Sequence, residues 1–113
     1  MLTIKEKGLL LAIIKHCEKI CEKMNNLSRY DFDNNEDVIE IICFNIMQIG
    51  ELAKNFEPAF IENYNAVPWK QIKGMRDKVA HGYGTIDLDR VWYTATNDIK
   101  PLLNYCKNIV DNN

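Results

Sequence analysis

Apolar residues recur every three or four positions in the first part of the chain, and this spacing restricts the fold strongly. They form one unbroken stripe of Leu10, Ile13, Ile14, Cys17, Ile20, Cys21 and Met24. Such spacing is typical of an amphipathic α-helix, because residues three or four apart share a face. Thr3 and Glu6 match a capping box, so the helix is predicted to begin there. His16 points away from the stripe and is expected to be exposed.

The same spacing recurs in three later segments. A second helix is predicted from Asn35, with the stripe Val38, Ile41, Ile42, Ile49, Leu52, Ala53 and Phe56. A third follows Pro68, and a fourth follows Asp87, a residue suited to a helix cap. No segment alternates in the manner of a strand. The sequence therefore predicts a single all-α domain, residues 1–113, built as a bundle of four main helices plus a short extra helix at 59–64.

Two regions interrupt this regular pattern. The segment from 25 to 35 is polar and predicted to be a loop, with Leu27, Tyr30 and Phe32 as anchors on the core. Pro101 lies inside the fourth helix and lacks a backbone N–H, so a kink is predicted at 97–101.

The charge balance limits how the chain could meet a nucleic acid. The net charge of the 113 residues is −2, so attraction to phosphate must come from a local patch. One basic patch lies at 70–78, where the only acid is Asp77. Its cations are Lys70, Lys73, Arg76 and Lys78.

The four cysteines lie in a chain whose sequence shows no sign of secretion. The apolar run at 8–14 is too short to cross a bilayer and lacks a cleavage site, so the protein is expected to be cytoplasmic, without membrane contact and with reduced thiols. Cys17 and Cys21 are four residues apart, but two thiols make an incomplete metal site. They are interpreted as core residues, and no metal or cofactor is predicted.

The segment from Trp69 to Tyr83 concentrates the chain's chemically active side chains. Arg76 can bind phosphate through several donors, and His81 can transfer protons near neutral pH. Asp77 lies four residues before His81 and can fix its tautomer, while Tyr83 can contact phosphate or stack on a base. Lys73 and Lys78 are candidates for phosphate contacts in the same segment.

One helix does not bring these groups together, because residues five apart differ by about 140° in direction. A second copy of the segment meeting the first across a two-fold axis would place two arginines and two histidines in one cleft. Such a cleft suits RNA cleavage without metal, with His81 as acid or base and Arg76 stabilising charge on the phosphate. The spacing also fits a simple surface pair of Asp77 and His81. Glu51, near the end of the second helix, is either a solvated acid or a support for Arg76.

Several stretches of the sequence resemble one family. The residues RDKVAHGY, 76–83, fit the pattern R-x4-H-x-Y of the HepT-like HEPN ribonucleases. The stretch IGELAK at 49–54 resembles the family's IGEAAK, and VPW at 67–69 with Ile72 resembles its approach to the motif. The residues around Val91, Asn97 and Pro101 look like its last helix. The resemblance covers roughly 33–103.

This resemblance implies a helical homodimer of the HEPN type with a composite, metal-independent endoribonuclease site that acts on tRNA or mRNA. By position, Arg76 and His81 would be catalytic. The family implies the toxin half of a type II/VII-like toxin–antitoxin pair, whose partner is an MNT-type nucleotidyltransferase antitoxin. That antitoxin can silence the toxin by AMP transfer to the motif tyrosine, here Tyr83. The alternative is a non-catalytic HEPN companion subunit of a nucleotidyltransferase that binds nucleotide or RNA.

Overall fold

A computed structural model describes residues 1–80 and 87–113, with side chains described as far as Met75 in the helix that reaches Ala80. These residues form helices and turns, and no strand occurs among them. The helices are α1 (Ile4–Met24), α2 (Arg29–Asp33), α3 (Glu36–Ala53), α4 (Pro58–Asn63), α5 (Trp69–Ala80), α6 (Leu88–Tyr93) and α7 (Ile99–Asp111). A π-helical segment, Thr94–Asp98, joins α6 to α7.

The four main helices of the predicted bundle are present: α1, α3, α5 and the long helix of α6, the π-helical segment and α7. In the bundle, α3 packs against both α1 and α5, and α1 packs against α7. The prediction of an all-α bundle is therefore confirmed. The short helix expected after Pro58 is α4, and α2 is a second short helix that the sequence did not predict.

The ends of the helices follow from local capping. In α1 the Thr3 hydroxyl accepts from the Glu6 amide at 3.0 Å, and the Glu6 carboxylate accepts from the Thr3 amide at 2.9 Å, so the predicted capping box is confirmed. Asn35 caps α3 through the amide of Val38. These caps satisfy amides that have no partner inside the helix.

The apolar stripes meet in one core that includes three of the four cysteines. Cys17, Cys43 and Cys106 are buried, and Cys21 lies at the edge of the core. Burial raises the pKa of the Cys106 thiol to about 12 and that of Cys43 to about 11. Near neutral pH these thiols are therefore protonated, which agrees with their interpretation as core residues.

The segment at 25–35 differs from the prediction. Ser28 accepts from the amide of Asp31 and begins α2, so part of the expected loop is helical. Phe32 is buried as predicted, but Tyr30 is 76% exposed, so its prediction as a core anchor was wrong. Two residues along a helix differ by about 200° in direction, so Phe32 and Tyr30 face opposite ways.

His16 also differs from its prediction, because it is partly buried between α1 and α3. Its Nδ1 lies 2.7 Å from Oδ1 of the buried Asn45. The amide nitrogen of Asn45 donates to the carbonyl of Ile41, so the Asn45 oxygen is the acceptor and His16 Nδ1 is the donor. This hydrogen bond links the two helices.

The long last helix accommodates Pro101 through the π-helical segment, which overlaps the predicted kink. Carbonyls of the preceding turn accept from side chains: Trp92 from the Thr96 hydroxyl at 2.7 Å, and Tyr93 from the Asn97 amide at 3.1 Å. Pro101 has no N–H that could donate to a carbonyl of the preceding turn. The regular hydrogen-bond pattern of the α-helix is therefore interrupted there, which explains the change to a π-helical segment.

Among the described helices, none combines the length and the apolar character that a membrane crossing needs.

Candidate functional site

An aromatic cluster fixes the beginning of α5, the helix that carries the predicted motif. The rings of Phe56 and Phe60 stack at 4.2 Å, and the indole of Trp69 lies 5.0 Å from Phe56 and 5.8 Å from Phe60. The indole N–H of Trp69 donates to the carbonyl of Tyr64 at 2.9 Å. Since Trp69 is the first residue of α5, this cluster sets where the helix starts and in which direction it runs.

The helix on the other side of the motif is fixed by α2. Asp87 caps α6 by accepting from the amide of Arg90 at 3.1 Å. Arg29 of α2 donates to Asp89 at 2.7 Å and lies 6.0 Å from the ring of Trp92. Phe32 packs on the same indole at 5.2 Å. The chain on both sides of the motif therefore has a defined position.

The motif, 76–83, begins on α5 and lies in the sequence between the two anchored segments. The backbone of 76–80 continues α5 as a helix, which agrees with the predicted helical position of Arg76. The side chains of 76–80 and the whole of 81–86 lie outside the described residues. The roles predicted for five residues therefore stay predictions: Arg76, Asp77, Lys78, His81 and Tyr83.

Two other predicted site residues are described. Lys73 is partly exposed on α5, in the turn before Arg76. Glu51 lies on α3, the helix that packs against α5, and its carboxylate is 3.3 Å from the ammonium of Lys54. Glu51 is thus an ion-paired, exposed acid, and its support of Arg76 stays a prediction.

A groove of about 290 Å³ lies between α5 and the long helix of α6 and α7. We call it the α5–α7 groove. It is lined mainly by apolar surface, with polar groups from both walls and tyrosines from the long helix. The lining residues used below are Gln71, Met75, Arg90, Tyr93, Asn97 and Tyr105.

The two ends of the α5–α7 groove can be told apart by their neighbours. Tyr105 also lines a neighbouring hollow with Tyr64 and Val67, so its end lies near the start of α5. Arg90 and Tyr93 come early in the long helix and mark the opposite end. There α5 has reached Met75, the residue before Arg76, so this end is the one next to the motif.

Sequence reasoning missed the α5–α7 groove. Tyr93 and Tyr105 were not assigned to the apolar stripes, and they are 56% and 39% exposed. An aromatic residue outside the stripe of an amphipathic helix was the available signal. It was not sufficient, because single exposed apolar residues are common on protein surfaces.

The described residues offer few groups for catalysis by a metal ion or by a cysteine nucleophile. Within 1–75 and 87–113, no three His, Cys, Asp or Glu side chains come together in a way that could hold a metal ion. The raised pKa values of Cys43 and Cys106 disfavour the thiolate form that a nucleophile requires.

Comparison with known proteins agrees with the fold. The profile of the family described as Ribonuclease HepT-like matches residues 13–109. A candidate RNase of Caldanaerobacter subterraneus subsp. tengcongensis is 33% identical over 98 residues, which cover 87% of this chain and 88% of that protein. A candidate RNase of Methanocaldococcus jannaschii is 31% identical over 93 residues, 82% of this chain and 77% of that one.

A shorter match extends to a protein of Thermococcus cleftensis that is named as a probable ribonuclease HepT. It is 37% identical over 54 residues, which cover 48% of this chain and 49% of that protein. No solved structure gave a significant match.

The all-α bundle and the family match over residues 13–109 define a protein of the HEPN type. The chain belongs to the HepT-like ribonuclease family.

Proposed function

We propose that this protein is a metal-independent endoribonuclease, the toxin half of a type II/VII-like toxin–antitoxin pair, with Arg76 and His81 as its catalytic residues. The observation that carries the proposal is family membership over 13–109 together with an intact R-x4-H-x-Y segment. The names of the relatives from Caldanaerobacter and Methanocaldococcus support an activity on RNA.

The proposed reaction begins with attack of a ribose 2′-hydroxyl on the adjacent phosphorus. His81 of one protomer takes the hydroxyl proton, and His81 of the second protomer protonates the leaving 5′-oxygen. The products are a 2′,3′-cyclic phosphate and a 5′-hydroxyl. Each proton transfer contributes roughly a hundredfold to ten-thousandfold in rate. Arg76 binds the phosphate and stabilises the charge that builds on its oxygens.

The supporting residues have separate roles in this proposal. Asp77 fixes the tautomer of His81, and Glu51 orients Arg76 from α3. Lys73 and Lys78 hold flanking phosphates, and Tyr83 contacts the strand near the cut. The anchored start of α5 supports this arrangement, because two motifs can meet in a symmetric dimer only if their helices hold a fixed direction.

The experiment that tests this proposal is a cleavage assay on total RNA and tRNA, with EDTA present. Arg76→Ala and His81→Ala are each expected to lower the rate at least about a hundredfold while the protein remains folded and dimeric. Mapping of the ends should find 2′,3′-cyclic phosphates. His16→Ala is the matched control, because His16 bonds Asn45 between α1 and α3, and it should keep cleavage.

Full cleavage by folded His81→Ala protein would contradict the proposal. Absence of cleavage by the unmodified dimer would favour instead the non-catalytic companion of a nucleotidyltransferase.

Regulation forms the second part of the proposal. An MNT-type nucleotidyltransferase antitoxin transfers AMP from ATP to the phenol oxygen of Tyr83, with release of pyrophosphate. The added phosphate brings negative charge and bulk next to Arg76, where the RNA phosphate would bind. Co-expression with such a partner should raise the intact mass by whole AMP units in the wild type and in Tyr93→Phe. The same gain in Tyr83→Phe would show that another residue is modified.

A further inference from the structure

We propose that the α5–α7 groove binds an unpaired base of the RNA strand, with the ring of Tyr93 as the platform on which the base stacks. The inference rests on the proposed function for its ligand class, RNA. It adds a base-binding subsite that is separate from the R-x4-H-x-Y segment.

The first argument is the size and character of the groove. Its volume of about 290 Å³ is near the lower end for small-molecule sites, which suits a base-sized ligand. Its walls are mainly apolar, with a few polar groups, as in most sites that bind flat, partly apolar ligands. A base has two apolar faces and polar edges, so it matches such walls.

The second argument is the chemistry of the wall nearest the motif. Tyr93 lines the groove with a ring that is 56% exposed, and Arg90 lies one helical turn before it. Stacking of a base on an aromatic ring is worth about 1–3 kcal/mol in single-strand binding and accepts every base. Arg90 brings a positive charge that suits the phosphate attached to a stacked base.

The third argument is the fixed orientation of the polar groups. The amide nitrogen of Asn97 donates to the carbonyl of Tyr93 at 3.1 Å and to the hydroxyl of Thr96 at 3.0 Å, so its side chain is held in one orientation. Gln71 brings a second amide from the opposite wall. Both amide hydrogens of Asn97 are used in these bonds, so its Oδ1 can accept from the edge of a stacked base, while the Gln71 amide can donate or accept.

The fourth argument is position along the strand. Tyr93 lies at the end of the groove where α5 reaches Met75, one residue before Arg76. A base stacked on Tyr93 would therefore belong to a nucleotide close to the phosphate that the motif handles. Tyr105 lies twelve residues later, roughly 18 Å along the helix, so it is too far away to share that base.

The test is the binding of a fluorescent single-stranded RNA tetranucleotide whose 2′-oxygens are methylated, because the attacking hydroxyl is then blocked and cleavage cannot occur. Fluorescence anisotropy gives the Kd. Tyr93→Ala is expected to raise the Kd about 5- to 150-fold, whereas Tyr93→Phe keeps the ring and should stay within about threefold of wild type. Tyr30→Ala is the matched control, because it removes another exposed tyrosine that does not line the groove, and it should leave the Kd unchanged.

Unchanged affinity in Tyr93→Ala, or no binding by the wild type, would overturn the subsite. Light scattering adds a further outcome. If Tyr93→Ala changes the molar mass in solution, the groove is a contact between copies of the chain and the proposal is wrong.

The subsite and the proposed ribonuclease can fail separately. Binding that depends on Tyr93 in a protein that cuts no RNA would retain the subsite and reject the nuclease. RNA cleavage that requires His81, with a Kd and a KM that do not change in Tyr93→Ala, would retain the nuclease and reject the subsite.

Discussion

Two helix contacts on opposite sides of the bundle differ sharply. On α1 and α3, which pack against each other, aliphatic side chains such as Ile13 and Ile46 are fully buried, and the His16–Asn45 hydrogen bond links the two helices. Between α5 and the long helix of α6 and α7, the α5–α7 groove stays open and its walls carry tyrosines, amides and a guanidinium. The same helical building blocks therefore give a closed contact in one place and an open one in the other.

This difference separates stability from recognition. Complete burial removes apolar area from water and fixes the direction of the helices. An open contact gives up part of that stabilisation but leaves room for a ligand. Changes at the α1–α3 contact are thus expected to lower the free energy of unfolding more than changes in the groove, which should affect binding.

The largest expected effect is at Ile46, which is fully buried on α3. Ile46→Ala removes three carbons from a close-packed region and should lower the free energy of unfolding by about 2–5 kcal/mol. Ile4→Ala is the matched control, because Ile4 is 95% exposed, and its effect should be below about 0.5 kcal/mol. Urea denaturation measures both. Equal effects of the two changes would contradict the expectation that the buried residues of α1 and α3 contribute more to stability than exposed ones.

A smaller effect is expected at Asn45, the buried polar residue of the same contact. Asn45→Ala leaves His16 Nδ1 and the carbonyl of Ile41 without this partner, which should cost about 1–3 kcal/mol. Asn104→Ala on the exposed side of α7 is the control and should have little effect. If Asn45→Ala is neutral in urea denaturation, the hydrogen bond between α1 and α3 does not stabilise the fold.

The smallest effect on stability is expected in the groove. Tyr93→Ala should change the free energy of unfolding by less than about 0.5 kcal/mol, because the side chain is more than half exposed. The same variant should show the loss of RNA affinity described above. A large loss of stability in urea would mean that the groove contributes to the core, and the contrast between the two contacts would then fail.

Much of the fold could be predicted because it depends on local rules. The three–four spacing located the main helices, and the Thr3–Glu6 capping box and the Asp87 cap are present as predicted. The hydrogen bond of His16 could not be predicted, since it depends on Asn45, a residue 29 positions away on another helix. The exposure of Tyr30 was missed because the α2 helix was read as a loop.

The candidate site was predicted in a different way. Arg76 and His81 were recognised from a motif, because its residues lie close together in the sequence. The α5–α7 groove is formed by Gln71 and Tyr93, which belong to separate helices and show no common pattern in the sequence. Grooves of this kind depend on how helices pack, so sequence patterns give little indication of them.

The π-helical segment bears on how the length of this helix can vary. Val91 and Ile99 are both fully buried although they lie eight residues apart, a spacing that a regular α-helix would rotate by about 80°. The wide turn absorbs part of that rotation. Deletion of one residue from 94–98 would leave the two positions seven apart, about 20° from alignment in a regular helix. Members of the family could therefore lack a single residue here without disturbing the core, while the wall of the groove would be reshaped.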